Sequence, residues 1–145
     1  VKSKSRGRLL SMAGVTAVLG GGLIMGAQTA SAAAQTATVT PSSGLSDGAT
    51  VQVAAAGFDA GDVLTAGQCA TVGSKIACNP ANQTEFTADA GGSASTTMVL
   101  NRTFVGAYVD GSGSAGTVDC GTASCFIGVG DFAGQGAAPV PISFS

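Results

Sequence analysis

The sequence predicts an all-β fold, a sandwich of about seven short strands. Segments that alternate apolar and polar residues recur along the chain, each closed by a turn signal. No segment sustains the periodicity of a long amphipathic helix. Beyond the first 32 residues the composition is dominated by Ala, Gly, Thr, Ser and Val, with no Trp or His anywhere. Thr and Val suit pleated surfaces, and Gly and Ser suit tight turns.

The chain opens on a leader. Lys2, Lys4, Arg6 and Arg8 precede an apolar run from Leu9 to about Ala27, and the run ends in Ala30-Ser31-Ala32, a small-x-small cleavage pattern. Residues 1–32 therefore read as a secretory signal peptide rather than a retained anchor, and residues 33–145 as one exported domain with no membrane segment after cleavage. Gly7 separates Arg6 from Arg8, so a twin-arginine pair is missing and ordinary export of the unfolded chain is expected. Cleavage leaves Lys75 and Arg102 against eight acidic residues, a net charge of −6. A secreted chain so acidic lacks the basic patch with which proteins neutralise phosphates, so direct nucleic-acid binding is not expected.

In order, the expected strands are 36–40, 50–54, 63–70, 85–88, 93–100, 125–129 and 140–144. Between them lie Pro41-Ser42-Ser43-Gly44, Ser46-Asp47-Gly48, Asp59-Ala60-Gly61-Asp62, Asp89-Ala90-Gly91-Gly92 and the hairpin signal Asp110-Gly111. Val51, Val53 and Val99 are expected on inner faces. Four cysteines in an exported chain should pair, and three connectivities are possible. Local pairing is the simplest, because Cys69 and Cys78 bracket the turn at Gly73-Ser74-Lys75, and Cys120 and Cys125 bracket another. A bridge across the first hairpin would contribute roughly 2–3 kcal/mol. An antibody-type domain would instead bridge its two sheets and pack a Trp on the bridge. The sandwich is immunoglobulin-like without that core.

No catalytic constellation is visible. Without His, the Ser-His-Asp and Cys-His arrangements and most zinc sites are excluded, and no metal is expected. Paired carboxylates are the remaining enzymatic route. However, Asp47, Asp59, Asp62, Glu85, Asp89, Asp110 and Asp131 mostly sit in Gly- or Ala-rich turns, and Asp119 has no second carboxylate near it. Phe104 and Phe144 read as core. Phe126, directly after Cys125, and Tyr108, just before a hairpin tip, are the aromatics best placed to meet a ligand.

Several motifs, in order, resemble the neocarzinostatin family of enediyne chromoprotein apoproteins. They begin with Ala33-Ala34-Gln35-Thr36-Ala37-Thr38-Val39-Thr40-Pro41-Ser42-Ser43-Gly44 and continue through Gly67-Gln68-Cys69-Ala70 and Ala77-Cys78-Asn79-Pro80. Gly116-Thr117-Val118-Asp119-Cys120, Thr122-Ala123-Ser124-Cys125 and Ile142-Ser143-Phe144 complete the set. The resemblance implies a seven-stranded immunoglobulin-like sandwich with a smaller two-stranded ribbon, a ligand cleft between them, and both local disulfides. It also implies a secreted monomer that holds a labile enediyne chromophore non-covalently and is not an enzyme. DNA is then the target of the released chromophore, not of the protein.

Carried over residue by residue, the resemblance puts Gly67, Gln68 and the Cys69–Cys78 bridge in one wall, with Ile76 keeping an apolar contact. Phe126, Gly128, Val129 and Gly130 form the floor, with Tyr108 and Val109 nearby. Gln68, Thr71, Gln83 and Ser124 are the candidate polar contacts. Thr71, Gln83 and Val109 stand where the family's namesake has large aromatic rings, and Phe126 where it has an amide. The implied cleft is of the same kind, with a different cargo. The alternative is an exported adhesion or protein-binding module, which predicts a flat exposed patch and no deep cleft.

Overall fold

The computed structural model describes residues 34–145, so the expected leader lies outside the described residues. Ten strands follow in order: β1 (Thr36–Thr40), β2 (Ala49–Ala56), β3 (Val63–Val72), β4 (Lys75–Cys78) and β5 (Thr84–Thr87), then β6 (Ala94–Leu100), β7 (Thr103–Tyr108), β8 (Ser114–Asp119), β9 (Cys125–Asp131) and β10 (Val140–Ile142). They form a three-stranded sheet, β1-β2-β6, and a seven-stranded one, β10-β9-β3-β4-β7-β8, in which β5 pairs the first half of β3. Every pairing of these strands is antiparallel.

The core lies between the two sheets, and strand alternation explains its membership. In β2, Val51, Val53 and Ala55 point inward on the same face as Met98 and Leu100 of β6, with Val51 paired to Met98. Leu64, Ala66 and Ala70 of β3 meet them from the other layer, with Ile127 and Val129 of β9. Val99 corrects its expectation. Once Met98 and Leu100 take the inner face of β6, the pleat turns Val99 outward, and it is about half exposed.

β3 is the organising strand. Its whole middle pairs with β9, while its other edge serves β5 over Val63–Ala66 and β4 over Cys69–Val72. The β3–β4 hairpin is the small ribbon that the resemblance implies, joined onward to β7. β7 and β8 are strands that alternation alone does not reveal. β8 buries only Val118 fully, its alternation is interrupted by Gly116 at φ +72°, and the β7–β8 register shifts between Gly106 and Ala107. The hairpin turn at Asp110-Gly111 lies where expected, closed by the Tyr108 N–H donating to the Gly113 carbonyl at 2.9 Å.

Most of the acids cap turns. Asp89 Oδ1 accepts from the Gly91 and Ser93 N–H groups, Asp131 Oδ1 from Ala133 and Gln135, and Asp110 Oδ1 from Ser112. The Ser112 hydroxyl and N–H, followed by the Lys75 ammonium, lower the Asp110 carboxyl to about 2. The Gly121 N–H and Arg102 likewise hold Asp119 below the usual range. Both carboxylates keep their charge in mildly acidic solution.

Candidate ligand cleft

The face of the large sheet turned away from the core decides whether the predicted site residues meet. Along β3, Leu64, Ala66, Gln68 and Ala70 point into the core, so Thr65, Gly67, Cys69 and Thr71 share the opposite face. Register carries that face across the neighbours. Cys69 opposes both Cys78 and Phe126, Gly67 opposes Gly128, Thr65 opposes Gly130, and Thr71 opposes Ile76. Val109 continues it at one end, where its N–H donates to the Ile76 carbonyl at 3.0 Å. Gln83 reaches over from the β4–β5 connection, its Cγ 3.7 Å from where a Cβ on Gly67 would stand. Ser124 adjoins this end, its carbonyl accepting the Thr71 N–H at 3.1 Å.

Gln68, Val129 and Tyr108 are not on this face. Val129 opposes Ala66, points into the sandwich and is 4% exposed. Tyr108 opposes the core residue Ala77, and its ring lies under the Lys75 ammonium, 5.0 Å from ring centroid to Nζ. Lys75 also pairs with Asp110 at 3.2 Å, so Tyr108 belongs to a cluster behind the bridge. Gln68 is 0% exposed. Its Nε2 donates to the Asn101 carbonyl at 2.6 Å, and its Oε1 accepts from the Asn101 N–H at 3.2 Å and from Asn82 Nδ2 at 2.9 Å. That amide is committed to the fold, and it anchors the loop that carries Gln83.

The middle of the face is a trough. Gly67 and Gly128 oppose each other with ordinary φ, and a Cβ on either would meet nothing closer than 3.7 Å. Neither backbone conformation nor packing requires glycine there. A strand normally loses stability for each glycine it carries, so the side-chain-free pair is explained by the space it leaves. Phe126 borders that space, its Cε2 3.9 Å from a Cβ position on Gly128.

At its outer end the trough deepens into a hollow of about 640 Å³, lined by Thr65, Pro80, Gln83, Glu85, Gly130, Asp131 and Phe132. Thr65 Oγ1 is buried here without a hydrogen-bond partner. Thr65, Glu85, Asp131 and Phe132 line this hollow and are not among the residues expected from the sequence. Parity with Gly67 would have found Thr65, whereas Phe132 lies in a loop with no strand pattern to orient it. A second hollow, about 590 Å³, lies on the outer face of the small sheet between Thr36, Thr38, Ala54 and Ser95. It has no aromatic side chain, and its one carboxylate, Asp89, is already engaged in its own turn. Of the two, only the large-sheet hollow joins an aromatic ring to polar and acidic side chains.

The sequence profile of the neocarzinostatin family matches residues 37–144. The chain belongs to this family. Its relatives include the antitumor antibiotic C-1027 apoprotein of Streptomyces globisporus, 44% identical over 124 residues, or 86% of each chain. Macromomycin of Streptomyces macromomyceticus is 39% identical over 133 residues, covering 90% of this chain and 92% of that one. The solved structure of macromomycin aligns with a TM-score of 0.71 over 77% of this chain and all of that one, and that of apokedarcidin with 0.64 over 78% and all of it. As the neocarzinostatin-family motifs imply, the disulfides are Cys69–Cys78 and Cys120–Cys125. Among the described residues no thiol is free.

Proposed function

We propose that the protein is the apoprotein of an antibiotic chromoprotein. It is exported by its leader, acts as a monomer without catalysis of its own, and carries a labile enediyne chromophore non-covalently in the trough. The chromophore, once released, attacks DNA. The observation that carries this reading is the opposed pair Gly67 and Gly128, free of side chains beside Phe126 and Gln83 although neither backbone conformation nor packing requires glycine there. The missing free thiol suits the cargo, because thiols activate enediynes. The relationship to an antitumor antibiotic apoprotein supports the same conclusion. Gly67, Cys69, Thr71, Ile76, Cys78, Gln83, Val109, Phe126, Gly128 and Gly130 are the proposed contacts, with Thr65 added.

Gly128→Ala tests it. A methyl group in the trough should weaken binding of the chromophore extracted from a producing culture by about tenfold, the cost of a modest overpacking clash. Folding should be unharmed, and stability should rise by about 0.5–1 kcal/mol as a strand glycine is removed. Phe126→Ala should also speed chromophore dissociation while leaving thermal unfolding largely intact. Unchanged dissociation from both variants would remove the trough as the binding site.

A further inference from the structure

The tips of two hairpins meet beyond the Cys69–Cys78 bridge. One is the β3–β4 turn at Gly73-Ser74, and the other is the β7–β8 turn that starts at Val109. β4 and β7 pair Cys78 with Ala107 and Ala77 with Tyr108. Two further steps in the same register set Ile76 against Val109 and Lys75 against Asp110, and the Val109 N–H donates to the Ile76 carbonyl at 3.0 Å. Alternation divides these last two pairs between opposite faces. Ile76 and Val109, both exposed, lie on the trough side, whereas Lys75 and Asp110 lie behind it with Tyr108.

Three groups of the opposite tip hold the Lys75 ammonium. Asp110 Oδ2 lies 3.2 Å from Nζ, the Ser112 hydroxyl accepts from it at 3.0 Å, and the Tyr108 ring centroid is 5.0 Å away. Asp110 is itself fixed, because its Oδ1 accepts the Ser112 N–H at 2.9 Å. Beyond the Ile76–Val109 bond, the ion pair and the hydrogen bond that join the two tips both start at Lys75. A single exposed ion pair contributes little, but here one ammonium ties a carboxylate, a hydroxyl and an aromatic face together. Arg102, the other basic residue of the described chain, cannot replace it, since it precedes β7 at the opposite end and pairs with Asp119.

On the carrier reading above, we propose that Lys75 is a positioning residue: it clasps the two hairpin tips from behind, keeps Ile76 and Val109 turned onto the cargo, and so slows cargo release. Lys75 itself does not touch the cargo. Breaking the clasp separates the turns and widens that end of the trough.

Hydrogen exchange and probe release together test this. In the cargo-free protein, exchange of the Val109 amide reports local opening of the tips. Lys75→Met should speed it about fivefold, the effect of losing one exposed ion pair and one ring contact. Asp110→Asn should act alike, because the amide oxygen can still accept the Ser112 N–H while the charge is gone, and Lys75→Arg should restore slow exchange. The Lys75 and Asp110 side chains are about half exposed, so the variants should fold, and the core amides of Leu64 and Ile127 should be unaffected. At about 1 M sodium chloride, where exposed charges are screened, the unaltered protein should come close to Lys75→Met at Val109, and the variant should respond little. The neutral dye N-phenylnaphthylamine, released by rapid dilution, reads the trough. It should leave Lys75→Met about fivefold faster, in step with the open population, and Lys75→Arg at the original rate. Unchanged Val109 exchange in Lys75→Met, or faster exchange with unchanged dye release, would overturn the clasp and leave the carrier reading standing. Dye binding to none of these proteins would overturn the clasp and count against the carrier reading as well.

Discussion

Gln68→Leu is expected to unfold about 15 °C below the unaltered protein in a thermal melt, the shift that a loss of about 3 kcal/mol produces in a domain of this size. Leucine fills nearly the same volume, so packing is not the cause. What is lost is a set of partners inside the protein: the Asn101 N–H and carbonyl both bond Gln68, and Asn82 Nδ2 would keep only the Val99 carbonyl. Each buried polar group left unsatisfied costs roughly 1–3 kcal/mol. The variant's cargo affinity, measured well below its melting range, should fall much less than its stability. A melting temperature within a few degrees of the unaltered protein would mean that the amide is spare, and would return Gln68 to the list of cargo contacts.

The second large effect is expected at Gly92. This residue has φ +80°, and a Cβ there would run into the Phe58 carbonyl. The Phe58 N–H donates to the Gly92 carbonyl at 3.2 Å, so the two backbones already meet as closely as they can. Gly92→Ala must adopt a left-handed conformation and push the Asp89–Ser93 turn away from Phe58, a core residue. Together these should cost about 3 kcal/mol or more. Gly111→Ala is the control: φ is +79° but nothing lies within 4 Å of the new Cβ, so about 1 kcal/mol is expected. Urea unfolding of both variants separates conformational strain from collision, and similar losses for the two would show that the Phe58 contact matters little.

These two residues show what could be read from the sequence. Turns were legible because Asp-Gly and Asp-Ala-Gly chemistry is local, and β2 was legible because Val51 and Val53 alternate with polar neighbours. β7 and β8 were not, because a strand with one large buried side chain and a left-handed Gly116 has little pattern to find. The site followed the same division. Motifs put Gly67, Cys69, Cys78 and Phe126 in one region, and register gathers them on one face. The errors are errors of parity. Gln68 and Val129 lie one residue from true members of that face, and a single step along a strand exchanges ligand for core. Tyr108 was misread for the same reason, since it pairs with Ala77 rather than Cys78. Phe132 was missed because its orientation is set by loop hydrogen bonds that leave no sequence signature.

The carrier role is tested most directly by native mass spectrometry of the protein secreted from its own producing culture. The expected species is the chain cleaved after Ala32, with both disulfides formed and an excess mass that organic extraction removes. The extract should then cleave DNA when thiol is added. A bare, twice-oxidised chain from a culture independently shown to make an enediyne would contradict the carrier role and favour the exported adhesion module.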